Sequence, residues 1–117
     1  MAIQHATPGQ PIDIQALGTT LPETVSYALF KSGELEVIRL ILPAGKSMPM
    51  HVVPGEITIQ CVEGKMEVTI DGKAHVLPAG HLMYLPGGVS HSVLGLENAS
   101  GLLTIVLQNQ LGDKSQK

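Results

Sequence analysis

The chain has 117 residues, a length that fits one domain. Its net charge is −3 and it has only 7 basic residues, so it offers no basic patch that could bind a nucleic-acid backbone. No apolar run approaches the about 20 residues that cross a bilayer, and the N-terminus lacks a basic segment followed by a hydrophobic one. We therefore expect no nucleic-acid and no membrane partner, and a cytoplasmic location. The single cysteine, Cys61, excludes an internal disulfide and lies in an apolar run that favours a buried, unreactive thiol.

The first 24 residues predict an extended arm rather than a helix. Pro8, Pro11 and Pro22 break any helical pattern, and isolated apolar residues such as Ile12 and Leu17 are anchors that need a surface to lie on. Residues 25–111 form the predicted domain. The polar tail, residues 112–117, has no apolar anchor and is expected to be disordered.

Short apolar runs separated by Gly and Pro turns predict strands throughout the domain. A hairpin is expected around Ser32-Gly33, and an Asp71-Gly72 turn joins two later strands. The fold class predicted is all-β, a sandwich or barrel. The predicted strands are Ser26–Lys31, Glu34–Leu42, Ile57–Val62, Lys65–Ile70, Ala74–Leu77, His81–Leu85, His91–Leu96 and Leu102–Leu107.

One histidine is framed by chain-bending residues. Gly80 ends a turn, an apolar strand follows, and Pro86-Gly87-Gly88 reverses the backbone before His91. The spacing Gly, five residues, Pro, one, Gly, two, His resembles the second motif of the cupin superfamily. In that family this His is a metal ligand, and the position four residues on, usually Asn, is Gly95 here. The resemblance covers roughly residues 34–107 and implies a cupin-type jelly-roll β-barrel.

The first cupin motif is Gly, five residues, His-x-His, three or four residues, Glu, six residues, Gly, and it is half present. His51 follows Gly45 at the required distance, but the second His position holds Val53, and Glu56 comes too early for that frame. With His51 taken as the second His, the first position holds Pro49. Each frame therefore loses one histidine.

The resemblance implies that His51 and His91 bind a divalent transition metal, Fe, Ni, Zn, Mn or Cu, inside an apolar barrel. A third ligand is normally needed, and the sequence leaves it open among Glu56, Gln60, His75 and His81. Gln60 interrupts an apolar strand, so its carbonyl is a candidate metal or substrate contact, or an ordinary satisfied amide. Glu56, His75 and His81 adjoin turns, where exposed side chains are the usual outcome.

Three further residues are candidates for substrate binding. Arg39, the only arginine, shares a strand face with Leu35, Val37 and Ile41, so its guanidinium is expected either to point into the barrel toward a ligand carboxylate or to pair with an internal Glu. Met50 and Met83 flank the proposed site in sequence, and the alternative for both is ordinary core filling.

Two functions remain open from the sequence. The first is a metal-dependent enzyme resembling cupin dioxygenases or isomerases, with a small organic substrate. The second is a non-catalytic barrel that binds a small molecule without a metal, which the missing motif histidine favours. A homodimer is also expected, because Ile38 to Leu42 is apolar on both strand faces and cupin relatives frequently pair.

Overall fold

The computed structural model describes residues 5–107, with the backbone alone at Pro49 and His51. Within residues 5–107, nine strands form two antiparallel sheets, whose orders are β1-β2-β9-β4-β7 and β3-β8-β5-β6. We call these the five-stranded and the four-stranded sheet. The strands are β1 Tyr27–Lys31, β2 Leu35–Leu42, β3 Ser47–His51, β4 Ile57–Glu63, β5 Lys65–Ile70, β6 Lys73–Pro78, β7 Leu82–Leu85, β8 His91–Gly95 and β9 Ala99–Val106.

This architecture confirms the all-β jelly-roll prediction. Eight strands coincide with predicted runs to within a few residues, while β3 was not predicted. Pro49 lies inside β3, and a proline lacks the backbone N–H that a central strand must donate. The strand tolerates it because β3 is at the edge of the four-stranded sheet.

Side-chain alternation divides each strand into an inner face, toward the other sheet, and an outer face. The core is formed by inner-face residues of both sheets, and it is almost wholly aliphatic, as the composition requires. Cys61 is fully buried in it, and burial raises the pKa of its thiol. The buried members of this core are Leu40, Leu42, Ile57, Ile59, Cys61, Met66, Val68, Leu77, Leu85, Val93, Ala99 and Leu103.

The N-terminal arm covers part of the outer face of the five-stranded sheet. A short 3-10 helix, Gly18–Glu23, packs against β2 and buries Leu21. Ser26 continues the contact, because its hydroxyl accepts a hydrogen bond from the Ile41 N–H at 2.8 Å. The second apolar face of Ile38 to Leu42, which suggested a partner chain, is therefore covered at Arg39 and Ile41 by the chain's own arm.

The two ends of the barrel differ. At one end Gly95 of β8 lies against β2, where an added Cβ would meet the Leu42 carbonyl oxygen at 2.5 Å, a contact that excludes any larger residue. This close approach accounts for Gly95 at a position where cupins usually carry Asn. At the other end, which we call the histidine end, β8 begins with His91 and β2 begins with Leu35.

Among residues 5–107 no helix is long and apolar enough to cross a membrane. The predicted disordered tail, residues 112–117, and the last four residues of the predicted domain lie outside the described residues.

Candidate functional site

Positions 51 and 91 lie directly opposite each other in neighbouring strands. His51 ends β3 and His91 begins β8, and the two are register partners, although forty residues separate them in sequence. Directly opposed residues in an antiparallel pair have Cβ atoms about 5 Å apart and share one face of the sheet. The fold thus brings together the two histidines that the cupin motifs singled out.

The His91 side chain is 1% exposed and lies on the inner face, in line with the core residue Val93. Its Nδ1 atom is 3.1 Å from the Val89 carbonyl oxygen. Because a carbonyl only accepts hydrogen bonds, Nδ1 carries the proton in the neutral ring and the lone pair lies on Nε2. This tautomer is the one suited to bind a metal or to accept a hydrogen bond from a ligand.

The inner-face residues of the two sheets are mostly aliphatic. Ile70 is the register partner of His91 on the other side, and Ile57 and Met83 are inner-face residues of the opposite sheet. Arg39, His91 and Ser100 are the buried polar side chains in the described part of the chain, and of these His91 alone lies in line with core residues. An imidazole in such surroundings interacts with a bound ion or ligand with little competition from water.

Glu56 lies away from this site. It is exposed at the start of β4, on the outer face, and accepts a hydrogen bond from the Tyr84 hydroxyl at 3.0 Å. That hydrogen bond raises the pKa of Tyr84. The structure gives Glu56 a partner on the protein surface and does not bring it together with His91.

Gln60 also points away from the histidines. Its neighbours Ile59 and Cys61 are fully buried core residues, so strand alternation places Gln60 on the outer face, between Leu82 and Leu102. The amide that interrupts the apolar run is therefore an outer-face residue of a strand whose other face is buried. The geometry removes Gln60 from the expected ligand set.

The position of the family glutamate is held by Ile57. Counting back seven residues from Gly64, as the first motif requires, gives Ile57, which is 3% exposed and part of the core. Val53, at the second histidine position, also packs against the core. Counting from Gly64 in the sequence already gives this alignment to the first motif. In it, only His51 and His91 occupy two of the four ligand positions of the family.

The remaining histidines are exposed. His81 lies in a turn with its Nδ1 atom 3.2 Å from the Ala79 carbonyl oxygen, and His75 lies on β6. Among the side chains that the structure describes, no group of three or more His, Cys, Asp and Glu residues is placed to hold a metal. His51 and His91 thus fit a metal ion only if a bound ligand or water completes its coordination.

Arg39 lies on the strand face that was predicted, but that face is the outer one. Its Nη2 atom donates hydrogen bonds to the Gln15 carbonyl oxygen at 2.7 Å and to the Ser100 hydroxyl at 2.9 Å. It also lies 3.6 Å from Glu63 Oε2. The structure therefore matches the alternative of an internal Glu partner, and Arg39 does not face His91.

Glu63 joins Arg39 to the arm. It accepts hydrogen bonds from the Leu17 N–H at 2.8 Å and the Gly18 N–H at 3.0 Å, and from the Ser100 hydroxyl. Burial by itself would raise the pKa of Glu63, but these hydrogen bonds and the Arg39 charge outweigh burial and hold the pKa below its ordinary value. The network was not foreseen as a unit, because the sequence separates its members widely.

The two methionines have different surroundings. Met83 packs against the core on the inner face, whereas Met50 is 54% exposed. Met48, two residues earlier on β3, packs against the core instead. Met83 is therefore near the inner wall that a ligand would contact, and Met50 is not.

Comparison with known proteins agrees with the sequence motifs and the fold. The family model described as the cupin domain matches residues 31–106. Among solved structures, a cupin superfamily protein from Desulfitobacterium hafniense has a TM-score of 0.73 and 14% identity over 92% of this chain and 100% of its own. A conserved protein of unknown function from Streptococcus pyogenes has a TM-score of 0.71 and 20% identity over 93% and 99%.

An RmlC-like cupin with a double-stranded β-helix fold from Methanocaldococcus jannaschii has a TM-score of 0.70 and 18% identity over 85% of this chain and 94% of its own. These identities are low enough that the structural likeness speaks for the fold alone. No protein among the curated sequences matches. The family model spans well over half of the chain, and this chain belongs to the cupin family.

Proposed function

We propose that the protein binds a small organic ligand at the histidine end of its barrel, together with a divalent transition metal that His51 and His91 share with that ligand. The observation that carries this proposal is the register pairing of positions 51 and 91. Two histidines at opposed positions of neighbouring strands offer imidazole nitrogens, a donor type suited to Fe, Ni, Zn, Mn or Cu. A ligand with two oxygen donors would supply the coordination that Val53 and Ile57 do not.

The chain's own residues have separate roles in this proposal. Val89 fixes the ring orientation and tautomer of His91 through its carbonyl oxygen. Ile57, Ile70 and Met83 contribute apolar side chains to the inner faces of the two sheets. A metal in this site would polarise a carbonyl or activate oxygen, the chemistry of an isomerase or a dioxygenase.

The second candidate is a ligand-binding or sensor barrel without a metal. It is favoured by one observation, the aliphatic side chains at two of the four family ligand positions, Val53 and Ile57. In that case His91 Nε2 accepts a hydrogen bond from the ligand instead of binding an ion.

Isothermal titration of metal-stripped, untagged protein distinguishes the two. Zn²⁺ or Ni²⁺ is titrated with and without oxalate, a bidentate oxygen donor, into the wild type, His51→Ala, His91→Ala and the control His81→Ala, whose exposed ring lies elsewhere. We expect stoichiometric binding that oxalate strengthens and that either site substitution abolishes. Binding of equal strength in all four proteins, or none in the wild type, would rule out the metal proposal.

We also propose a homodimer, with the interface moved from Ile38–Leu42 to the uncovered part of the five-stranded sheet. The support is an outer-face patch in which Leu82 is 64%, Tyr84 56% and Val106 42% exposed. Three polar side chains lie beside this patch: Gln60, Thr58 and Thr104. Each can donate as well as accept a hydrogen bond, so each could pair with the same residue of a second copy related by a two-fold axis.

A further inference from the structure

The first half of β6 is open to solvent on both of its faces. Residues 73–76 are all exposed, although Leu77, at the far half of the strand, is buried in the core. Strand alternation puts Lys73 and His75 on the same side as Leu77, the inner face. The inner face of this corner is therefore reachable from water, which the core farther along the strand is not.

This corner is continuous with the two histidines. Lys73 is the register partner of Ile70, Ile70 is the partner of His91, and His91 is the partner of His51. The four positions form one row across the inner face of the four-stranded sheet, with Lys73 about 10 Å from His91, two strand spacings away. His75 belongs to the adjacent row, beside Val68 and Val93.

The row has basic groups and no acidic ones. Among the described inner-face positions of this sheet there is no Asp or Glu, since Glu67 lies on the other face of β5, opposite the exposed Val76. Lys73 takes part in neither of the two ion pairs found within the described residues. Glu36, on the inner side of β2, lies in the other sheet and is the register partner of Lys31.

From this row we propose that the ligand is a small organic anion, a carboxylate, which enters over Ile70 and is drawn by Lys73 and His75 toward His51 and His91. This inference rests on the proposed function and adds the charge class of the ligand and two residues that guide it. A lysine on an edge strand also discourages the addition of another strand, but that effect is independent of any ligand. The two roles are therefore separable by experiment.

The test is an NMR titration of isotope-labelled protein with malonate and with its neutral analogue malonamide, in the presence and absence of Zn²⁺. Lys73→Glu is compared with Lys46→Glu, which changes the net charge equally but lies between β2 and β3, near Gly95 at the opposite end of the barrel. We expect malonate to shift the His91 and β6 signals, malonamide to bind about tenfold more weakly, and Lys73→Glu to weaken malonate about fivefold. Lys46→Glu should change malonate binding less than about twofold, because solvent and salt screen a distant charge.

Equal binding of malonate and malonamide, equal effects of the two lysine substitutions, or no binding of malonate would overturn the inference. A parallel titration with Zn²⁺ alone, in the wild type and in His91→Ala, distinguishes failure of the anion inference from failure of the proposed metal site. Zn²⁺ binding at the histidines without a charge preference would remove the anion inference and keep the proposed metal site. Charge-selective malonate binding without Zn²⁺ binding would do the reverse.

Discussion

Two buried polar residues, Arg39 on the outer face of the five-stranded sheet and His91 on the inner face of the four-stranded sheet, differ in the charges that lie near them. Arg39 is 1% exposed and has an acidic partner, Glu63, and a hydroxyl partner, Ser100, within the chain. His91 is equally buried. Its register partners in the two neighbouring strands are His51 and the aliphatic Ile70, and Lys73 lies opposite Ile70 in the next strand. The charge of Arg39 is balanced within the chain, whereas the polar residues in the row that contains His91 are all basic.

This difference gives the Arg39 region a structural role, and it supports the proposal that a ligand binds at the His91 region. A buried charge that is balanced within the chain stabilises the fold and offers nothing to a ligand. A row of His and Lys positions without carboxylates on its sheet face is where we propose that a metal and an anion bind. Substitutions in the first region should therefore change stability and leave binding at the histidines intact, whereas substitutions in the second should change binding.

The largest effect is expected from Arg39→Ala. Loss of the guanidinium removes the ion-pair partner of the largely buried Glu63 carboxylate and the donor to the Gln15 carbonyl, and we expect a loss of about 3–5 kcal/mol in the free energy of unfolding. Urea denaturation measures it, with Lys65→Ala as the control, because the exposed Lys65–Glu97 pair should contribute less than about 1 kcal/mol. Metal affinity at the histidines should not change, and a parallel loss of binding would break the separation of the two regions.

Restoring the two missing family ligands should turn the His91 region into a stronger metal site with four protein ligands. Val53→His with Ile57→Glu places an imidazole and a carboxylate at inner-face positions near His91, and we expect Zn²⁺ affinity to rise at least about 100-fold, equivalent to about 2.7 kcal/mol. The buried carboxylate should lower stability in the metal-free protein. The matched control Val53→Ile with Ile57→Val should leave affinity unchanged. If the double variant gains nothing, these positions do not face the metal site.

The pH dependence of stability should separate the regions as well. The pKa of Glu63 is lower in the folded chain than its ordinary value, so its ionised form contributes stability at neutral pH. That contribution is lost as the pH falls below the ordinary range and through the lowered folded-state pKa. We expect the free energy of unfolding of the wild type to fall more than that of Glu63→Gln over this acid range, because the substituted amide does not titrate. Parallel curves for the two proteins would show that the network contributes no charge-dependent stability.

The smallest effect concerns assembly. The uncovered patch at Leu82 and Tyr84 lies beside the arm-covered region, and Leu82→Lys should shift a dimer toward monomer without changing the fold. Sedimentation velocity across a concentration series measures the shift. Val25→Lys, at an exposed position directly after the arm, is the control and should leave the mass unchanged. A monomeric wild type at the highest concentration would contradict the dimer proposal.

The sequence predicted the sheet content and the key histidines because both depend on local patterns. Strand alternation and Gly or Pro turns define eight of the strands, and the frame around His91 identifies a family motif. Pro49 concealed β3, since local preference cannot tell an edge strand from a central one. Alternation also put Arg39 on the correct face of β2 without showing that this face lies under the arm.

The sequence left the third ligand open for a related reason. Glu56 and Gln60 were plausible from chemistry alone, and although counting from Gly64 puts Ile57 at the family glutamate position, the strand register is what shows that Ile57 and Cys61, and not their neighbours, point inward. The partner of Arg39 was likewise hidden, because residues 15, 39, 63 and 100 meet only through tertiary packing.

Whether His51 and His91 bind one ion together can be measured by pulsed electron paramagnetic resonance of the Cu²⁺-loaded protein, which counts the coordinated imidazoles. We expect two imidazoles in the wild type and in His81→Ala, and one in His51→Ala and in His91→Ala. A single imidazole in the wild type, or a count that neither substitution lowers, would contradict this expectation.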